Sequence, residues 1–384
     1  MRATLKNPVA IRLSLFYASV FTMIGLHIAF WPVWLKSKGL DASQIGLVLA
    51  FSLGIKVIVN PLLAHLADRS GERKRLIIVL SVGALISFSG FFWADGLTAI
   101  LAVSVSLFVF WSPIMPVHES LTIFTTHKLN LNYGAIRLWG SISFIAAVVV
   151  GGMILTGKPE IWIFTLILAA IVMTSISAFL LPDYHTPKAE AGNLPLKQVL
   201  SDKNFILFLI AAALLQASHS VYYAFATLQW RGLGFSESLI GALWAEGVIA
   251  EIILFAASGF FIKKFGAARL MAMAGLAGTI RWSIAAVTDD LAIIVFLQLL
   301  HAFTFGAAHL GAMHFIQNRI DPKLSATTQS IYSAAAMGLG VGSGVYLAGI
   351  LYHGYGTAAY FAMTVFSVLG GLLAFTLRRP RTET

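Results

Sequence analysis

Lys38-Gly39-Leu40-Asp41-Ala42-Ser43-Gln44-Ile45-Gly46 returns 195 residues later as Leu233-Gly234-Phe235-Ser236-Glu237-Ser238-Leu239-Ile240-Gly241. Gly39, Ile45 and Gly46 fall on Gly234, Ile240 and Gly241. The same offset carries Asp68, Arg69 and Gly71 onto Lys263, Lys264 and Gly266, and Lys56 onto Glu251. It is close to half of the 384 residues, and the stretches between these markers are long and apolar. Two halves therefore repeat one pattern, with a lone cation in an apolar segment of one and a lone carboxylate at the matching place in the other. That arrangement points to a carrier with a central site.

Composition fixes the solvent of this chain. Hydrophobic residues make up 58% and charged residues 11%, against about 25% charged in soluble domains, and the mean hydropathy is +0.85. A spanning helix needs about 20 apolar residues. Segments of that kind lie near 10–35, 43–66, 76–94, 97–125, 134–156, 160–181, 204–230, 236–262, 267–288, 290–317, 324–352 and 355–377. The fold class expected is an all-α membrane protein of twelve transmembrane helices in two pseudo-symmetric six-helix halves. The first run is too long for a signal peptide and reads as a retained helix. The chain has no cysteine, which excludes disulfides and thiolate metal sites.

The net charge of +10 suggests a nucleic-acid partner until the charges are placed on the topology. Nineteen Lys and Arg then fall on one side: Arg2, Lys6, Arg12, Arg69, Arg73, Lys74, Arg75, Lys128, Lys188, Lys197, Lys203, Lys263, Lys264, Arg269, Arg319, Lys323, Arg378, Arg379 and Arg381. Only Lys36, Lys38, Lys158 and Arg231 fall on the other. The excess marks the cytoplasmic face and puts both termini there. The least hydrophobic stretch, Pro182 to Lys203, separates a six-helix bundle over 1–181 from a second over 204–384 and reads as a cytoplasmic linker. Trp31, Trp34, Trp93, Trp139, Trp162 and Trp230 stand near span ends and read as an interfacial belt. Gly140, Gly151 and Gly152 in span five, and Gly338, Gly340, Gly342 and Gly344 in span eleven, permit close helix approach, either as moving surfaces or as a static seam.

The loop Asp68-Arg69-Ser70-Gly71-Glu72-Arg73-Lys74-Arg75 resembles the Gly-x-x-x-Asp-Arg-x-Gly-Arg-Arg motif of the major facilitator superfamily. Ala64 replaces its first Gly and Glu72 one of its basic residues. An acid beside basic residues at a helix end suits a conformational latch, here Asp68, Arg69 and Gly71. Tyr133-Gly134-x-x-Arg137-Leu138-Trp139-Gly140-Ser141, Tyr222-Tyr223-x-Phe225, Ala250-Glu251-Ile252-Ile253, Arg281-Trp282 and His301-x7-His309-Leu310 resemble the phenylpropionate permease family, a relative of lactose permease. The likeness runs over nearly the whole chain. It implies proton-coupled uptake of a small aromatic carboxylate such as 3-phenylpropionate across a bacterial inner membrane. The lactose permease branch is similar in its charges on helices four, five, eight, nine and ten, which match Glu119, Arg137, Glu251 or Glu246, Arg281, and His301 or His309. The helix-ten carboxylate of that branch has no counterpart here.

Lys56, Arg137, Arg281, Glu119, Glu246 and Glu251 lie within or at the edges of spans, three charges of each sign. At roughly 2.5 to 3.5 kcal/mol each, leaving them in lipid would cost about 15 to 20 kcal/mol, so they face protein or a water-filled cavity. Buried salt bridges that only fix helix register are the alternative reading, most of all for Arg281 on a peripheral helix. Glu246 and Glu251 are about 140° apart on a helix and cannot share a face. The repeat favours Glu251 for the central site. Glu119 follows His118 in a span kinked by Pro113 and Pro116, with Arg137 as its expected partner. His219, His301 and His309 join Glu251 and Glu119 as candidates for proton handling, and His301 and His309 lie about 80° apart on one helix. Lys56, Arg137, Arg281, Tyr222 and Tyr223 are the candidates for holding a solute anion, with Phe30, Phe225 and Trp244 as further aromatic surfaces. Lys56 and Glu251 sit on helices two and eight and are expected to pair when no solute is bound.

Neither a metal nor a cofactor is expected, because the intramembrane histidines scatter over four helices without ligand spacing. The expected partners are a small solute, protons and the lipid bilayer, with no nucleic acid, and the expected state is a monomer. No nucleophile or phosphate-binding loop suggests an enzyme. A sugar or nucleoside symporter, a proton-driven exporter and, last, a non-transporting membrane receptor or enzyme remain open on the sequence. Reporter fusions at either terminus and accessibility labels placed between Pro182 and Lys203 are expected to report the cytoplasm; labelling of that linker from outside would reverse the topology.

Overall fold

A computed structural model of the chain describes residues 7–184, 201–319 and 325–377. Linker residues 185–200 and the charges Arg2, Lys6, Lys188, Lys197, Lys323, Arg378, Arg379 and Arg381 lie outside the described residues. Among the described residues every regular element is helical. The spans are α1 (Pro8–Ser37), α2 (Ala42–Ala67), α3 (Arg73–Phe92), α4 (Gly96–Leu129), α5 (Tyr133–Leu155), α6 (Ile161–Leu180), α7 (Lys203–Gly232), α8 (Glu237–Ala256) and α10 (Leu291–Asn318). Between the last two lies Ser258–Ala285, which the non-helical Gly266 divides into a stretch that carries on from α8 and α9 proper, residues 267–285. A long apolar stretch, Thr328–Phe375, holds two helices. These are α11, made of Ser325–Tyr332, Ser333–Gly340 and Val341–Tyr355, and α12 (Tyr360–Phe375). Among the described residues these helices number twelve, the number of spans expected.

The repeat is visible in backbone angles. Gly39 and Gly234 have φ of +83° and +84°, and Gly71 and Gly266 have +72° and +70°. All four have the positive φ that side chains resist, although Gly71 and Gly266 part at ψ, −2° against 175°. After Gly39, Asp41 opens α2 with a reciprocal cap: its Oδ1 accepts from Gln44 N at 2.9 Å, and Gln44 Oε1 accepts from Asp41 N at 3.1 Å. The Ser43 hydroxyl, then the Gln44 N–H, hold the Asp41 carboxyl below its ordinary pKa. This cap is intact above the ordinary carboxylate range and is lost as pH falls through the lowered value.

The chain forms two compact units. Unit 1 comprises Met1–Leu40, Ile55–Gly192 and Trp230–Ala245; unit 2 comprises Asp41–Gly54, Asn193–Gln229 and Glu246–Thr384. The opening turns of α2 are thus part of unit 2, and those of α8 part of unit 1. Repeat glycines set both associations. A Cβ on Gly46 would come within 2.6 Å of Gly349 Cα in α11, and one on Gly241 would collide with the Val148 carbonyl of α5. Backbones this close need the missing side chain.

Unit 1 has an aromatic core in which Trp31 and Trp34 stack at 4.3 Å, with Phe88 on Phe164 at 5.2 Å. In unit 2 Phe208 stacks on Phe315 at 4.3 Å. Large apolar side chains such as Phe92, Met153, Leu276 and Phe375 face outward, as lipid requires. Trp93, Trp139 and Trp162 are exposed, in keeping with an interfacial belt, but Trp31, Trp34 and Trp230 are buried. Their positions near span ends could not reveal that they pack inward.

Several spans are interrupted. α2 breaks between Gly54 and Lys56, α4 between Trp111 and Ile114, and α7 between Ala217 and Ser220. α10 widens into a π-helical turn over Ala302–Ala307, and α11 does so over Ser333–Gly340. The α4 break is the one expected from Pro113, which cannot donate a helical hydrogen bond. Lys56, Ser112, His219 and His301 sit at these irregularities.

A Gly241→Val change places carbon atoms against a backbone carbonyl that cannot retreat. It is expected to cost about 1–3 kcal/mol, read as a lowered unfolding temperature in detergent. Gly54→Ala, with open space around its Cβ, is expected to leave that temperature unchanged or raise it.

Candidate functional site

Unit 2 buries a polar cluster at the breaks in α7 and α10. Arg281 of α9 is 1% exposed. Its Nη1 donates to His301 Nδ1 and Thr304 Oγ1, both at 3.1 Å, and its Nη2 donates to Gln298 Oε1 at 3.1 Å. The guanidinium also lies over the rings of Tyr222, at 4.6 Å, and Trp282, at 4.5 Å. Among the described residues its polar partners are all neutral acceptors. Arg281 was expected on a peripheral helix; its side chain turns inward, where residues of α7 and α10 enclose it.

Arginine only donates, and that fixes the neighbouring tautomers. His301 must accept at Nδ1, so its proton is on Nε2, which faces Glu251 Oε2 at 3.7 Å. Thr304 accepts from Arg281 and can donate to His219 Nε2 at 3.1 Å. His219 Nδ1 then donates to the Leu215 carbonyl at 3.1 Å. Small residues bring α8 and α10 together here. Positions for a Cβ on Gly306 and Gly247 lie 3.7 Å from Glu251 and 3.5 Å from His301. Glu246 is half-buried with no such contact to His301, as the 140° separation requires. Phe225 is occupied elsewhere, stacked on Tyr352 at 4.5 Å.

Unit 1 carries a second polar group. The Glu119 carboxylate accepts from Tyr17 OH at 2.8 Å and from Tyr133 OH. Arg137 lies over Phe21, at 4.4 Å, and Tyr17, at 5.4 Å. A direct Glu119–Arg137 ion pair was expected; instead Tyr17 stands between them, giving its hydroxyl to the acid and its face to the cation. Lys56 is half-buried, with its Nζ 5.6 Å from the centre of the Phe108 ring. Among the described residues of unit 1 no carboxylate reaches ion-pair distance of it. Phe108 in turn meets His27 at 5.6 Å, and His27 stacks on Trp31 at 5.6 Å. A cation edged by aromatic faces can receive a carboxylate attached to an apolar ring. Phe30 lines a small cavity with Val33 and Leu155, and Trp244 meets Trp230 edge to face.

The motif loop places its charges unequally. Gly71 ends its helix in the left-handed conformation, and Arg75 pairs with Glu72 at the surface. The Asp68 side chain lies outside the described residues. Arg73, which the sequence reading counted only as a loop charge, is buried and donates from Nε to Ser120 Oγ of α4 at 3.0 Å. Sequence reasoning also missed Tyr17, Tyr133, Gln298 and Thr304. It missed Arg231 as well, which bridges Glu160 at 3.3 Å and Glu237 at 3.1 Å. The 195-residue repeat, which makes Glu237 part of a helix start, was the one signal that could have pointed to that bridge.

Residues 10–363 match the MFS_1 like family. The chain is 31% identical over 364 residues to a probable 3-phenylpropionic acid transporter of Escherichia coli (strain K12), covering 92% of this chain and 94% of that protein. It is 26% identical to the maltose permease of Geobacillus stearothermophilus, over 96% and 94% of the two chains. The fold is similar to the crystal structure of the nucleoside transporter NupG, with a TM-score of 0.82 at 18% identity over 96% of this chain and 98% of that one. A bacterial homolog of the human lysosomal transporter Spinster superposes with a TM-score of 0.78 at 16% identity over 96% of each chain. A family match spanning nearly every helix, and a relative of this identity aligned almost end to end, make the chain an integral membrane transporter belonging to the MFS_1 like family.

Proposed function

We propose that the chain is a proton-coupled symporter that imports a small aromatic carboxylate, of which 3-phenylpropionate is the type, across a bacterial inner membrane. Its two six-helix halves, 1–181 and 204–384, would act by alternating access with both termini cytoplasmic. The observation that carries the reading is Lys56, an intramembrane cation edged by the Phe108 ring. A relative at 31% identity carries the matching solute class in its name. Glu251, beside the proton-bearing nitrogen of His301, is the group assigned to carry the proton. In this scheme an empty carrier pairs Lys56 with Glu251. Binding of the solute carboxylate to Lys56 releases Glu251 to be protonated, which links the two events. Arg137 and Arg281 supply further positive potential, with Tyr222 and Tyr223 beside the latter, and Asp68, Arg69 and Gly71 serve as the latch. A nucleoside or sugar is the second reading, favoured by relatives named as a putative nucleoside transporter and a maltose permease.

In proteoliposomes Glu251→Gln is expected to abolish accumulation of 3-phenylpropionate driven by a pH gradient while exchange persists. Uphill uptake at the wild-type level would remove Glu251 from the coupling role. Lys56→Gln is expected to weaken binding of 3-phenylpropionate about tenfold and to leave its neutral amide nearly unaffected. An equal loss for acid and amide, with folding restored by the double change Lys56→Gln and Glu251→Gln, would reduce the pair to a structural bridge.

A further inference from the structure

In a regular α-helix His301 and His309 would sit about 80° apart. The π-helical turn of α10 removes that offset. His301, Phe305 and His309 stack in one column, with ring centres 5.4 Å and 6.0 Å apart and planes within 8° and 4°. The upper histidine is held by Arg281. The lower one has no such anchor, and its Nδ1 is enclosed without a hydrogen-bond partner. Three rings face it: Phe305 of its own helix, Phe255 of α8 at 6.3 Å, and Tyr332 of α11 at 6.5 Å. Of these, only Tyr332 has a proton to exchange.

Tyr332 is 4% exposed, and Gln216 of α7 is 1% exposed. The Gln216 amide faces the Tyr332 hydroxyl, yet no direct hydrogen bond of good geometry joins them. The Tyr332 hydroxyl and both polar atoms of Gln216 are enclosed without partners, like His309 Nδ1. Four polar atoms from three helices thus converge beside Phe208, Phe255 and Phe305. Enclosed groups of this kind are nearly always satisfied by protein or by water, and a buried water needs two to four polar partners. Tyr332 is also the residue from which α11 enters its own π-helical turn. Irregular helix at this depth is tolerated where it lines a cavity.

We propose that His309, Tyr332 and Gln216 form a bound-water site that passes the coupled proton on from the Glu251–His301 pair. The site lies roughly 12 Å further along α10 from that pair, at 1.5 Å per residue. The inference rests on the coupled-transport reading and deepens it. The imidazole of His309 accepts a proton at one ring nitrogen and gives one up at the other. The Tyr332 hydroxyl donates to and accepts from the water, and Gln216 orients that water without titrating. Gly306, which has no side chain beside Glu251, leaves room for transfer past the Phe305 ring. No bond other than those to the moving proton is made or broken.

Tyr332→Phe and Gln216→Leu test this, singly and together, in proteoliposomes carrying an internal pH indicator and given 3-phenylpropionate. Proton-linked net uptake is expected to fall about tenfold in the double variant while equilibrium exchange stays within about twofold. Absence of proton movement in the wild type would overturn the coupled-transport reading and the relay with it. Wild-type proton movement that survives the double variant overturns the relay alone, as does an equal fall in net uptake and exchange. Thermal unfolding gives a separate check. Removing a dry, unpaired hydroxyl by Tyr332→Phe raises the unfolding temperature and overturns the proposal, whereas removing one that holds water leaves it unchanged or lower.

Discussion

Arg281 carries a charge that cannot be neutralised in a place where water does not solvate it, and the surrounding part of unit 2 is arranged to meet that demand. Three neutral acceptors, Gln298, His301 and Thr304, take its N–H groups, and the faces of Tyr222 and Trp282 cover it. Because a guanidinium can only donate, each acceptor is left with one orientation. The order passes through Thr304 to His219 and ends on the Leu215 carbonyl, at the point where α7 breaks. On the other side it leaves the proton of His301 facing Glu251. A lysine could not do the same, since a single ammonium lacks the fixed planar fork that reaches three partners at once.

The negative counterpart in unit 1 is met differently. Glu119 is surrounded by two tyrosine hydroxyls, and Arg137 is shared between two ring faces. Both charges stay close without a direct bridge, so neither is locked to the other. A buried ion pair is costly to separate because each partner is then exposed to a poor solvent. An acid held by hydroxyls and a cation held by rings can each change partner with a smaller rearrangement.

The spans and the two-fold repeat were legible because lipid imposes length and hydropathy on every helix, and because Gly39, Gly71, Gly234 and Gly266 occupy positions that few other residues tolerate. The ionisable members of the polar clusters were legible for the same reason: charge in an apolar run has to be justified. Thr304, Gln298, Tyr17 and Tyr133 were not. Hydroxyls and amides occur in many spans, and only the three-dimensional neighbour gives them meaning. The π-helical turn was invisible as well, since Ala302-Phe303-Thr304-Phe305-Gly306-Ala307 carries no periodicity that distinguishes it from an α-helix. The angle deduced between His301 and His309 was therefore that of a helix this segment does not form. Arg73 was misjudged because a basic residue just past a helix end is ordinarily solvated, and here it turns inward to Ser120.

The sharing of helix starts between the units bears on how the protein is made. Translation delivers α2 long before α11, yet the opening turns of α2 find their close backbone contact, Gly46 on Gly349, only in unit 2. Gly349 follows Gly46 by some 300 residues, so that contact forms only late in synthesis. Synthesis therefore cannot proceed as two independent acts of folding, and a ribosome that stalls beyond α6 leaves a product that is inserted but not complete.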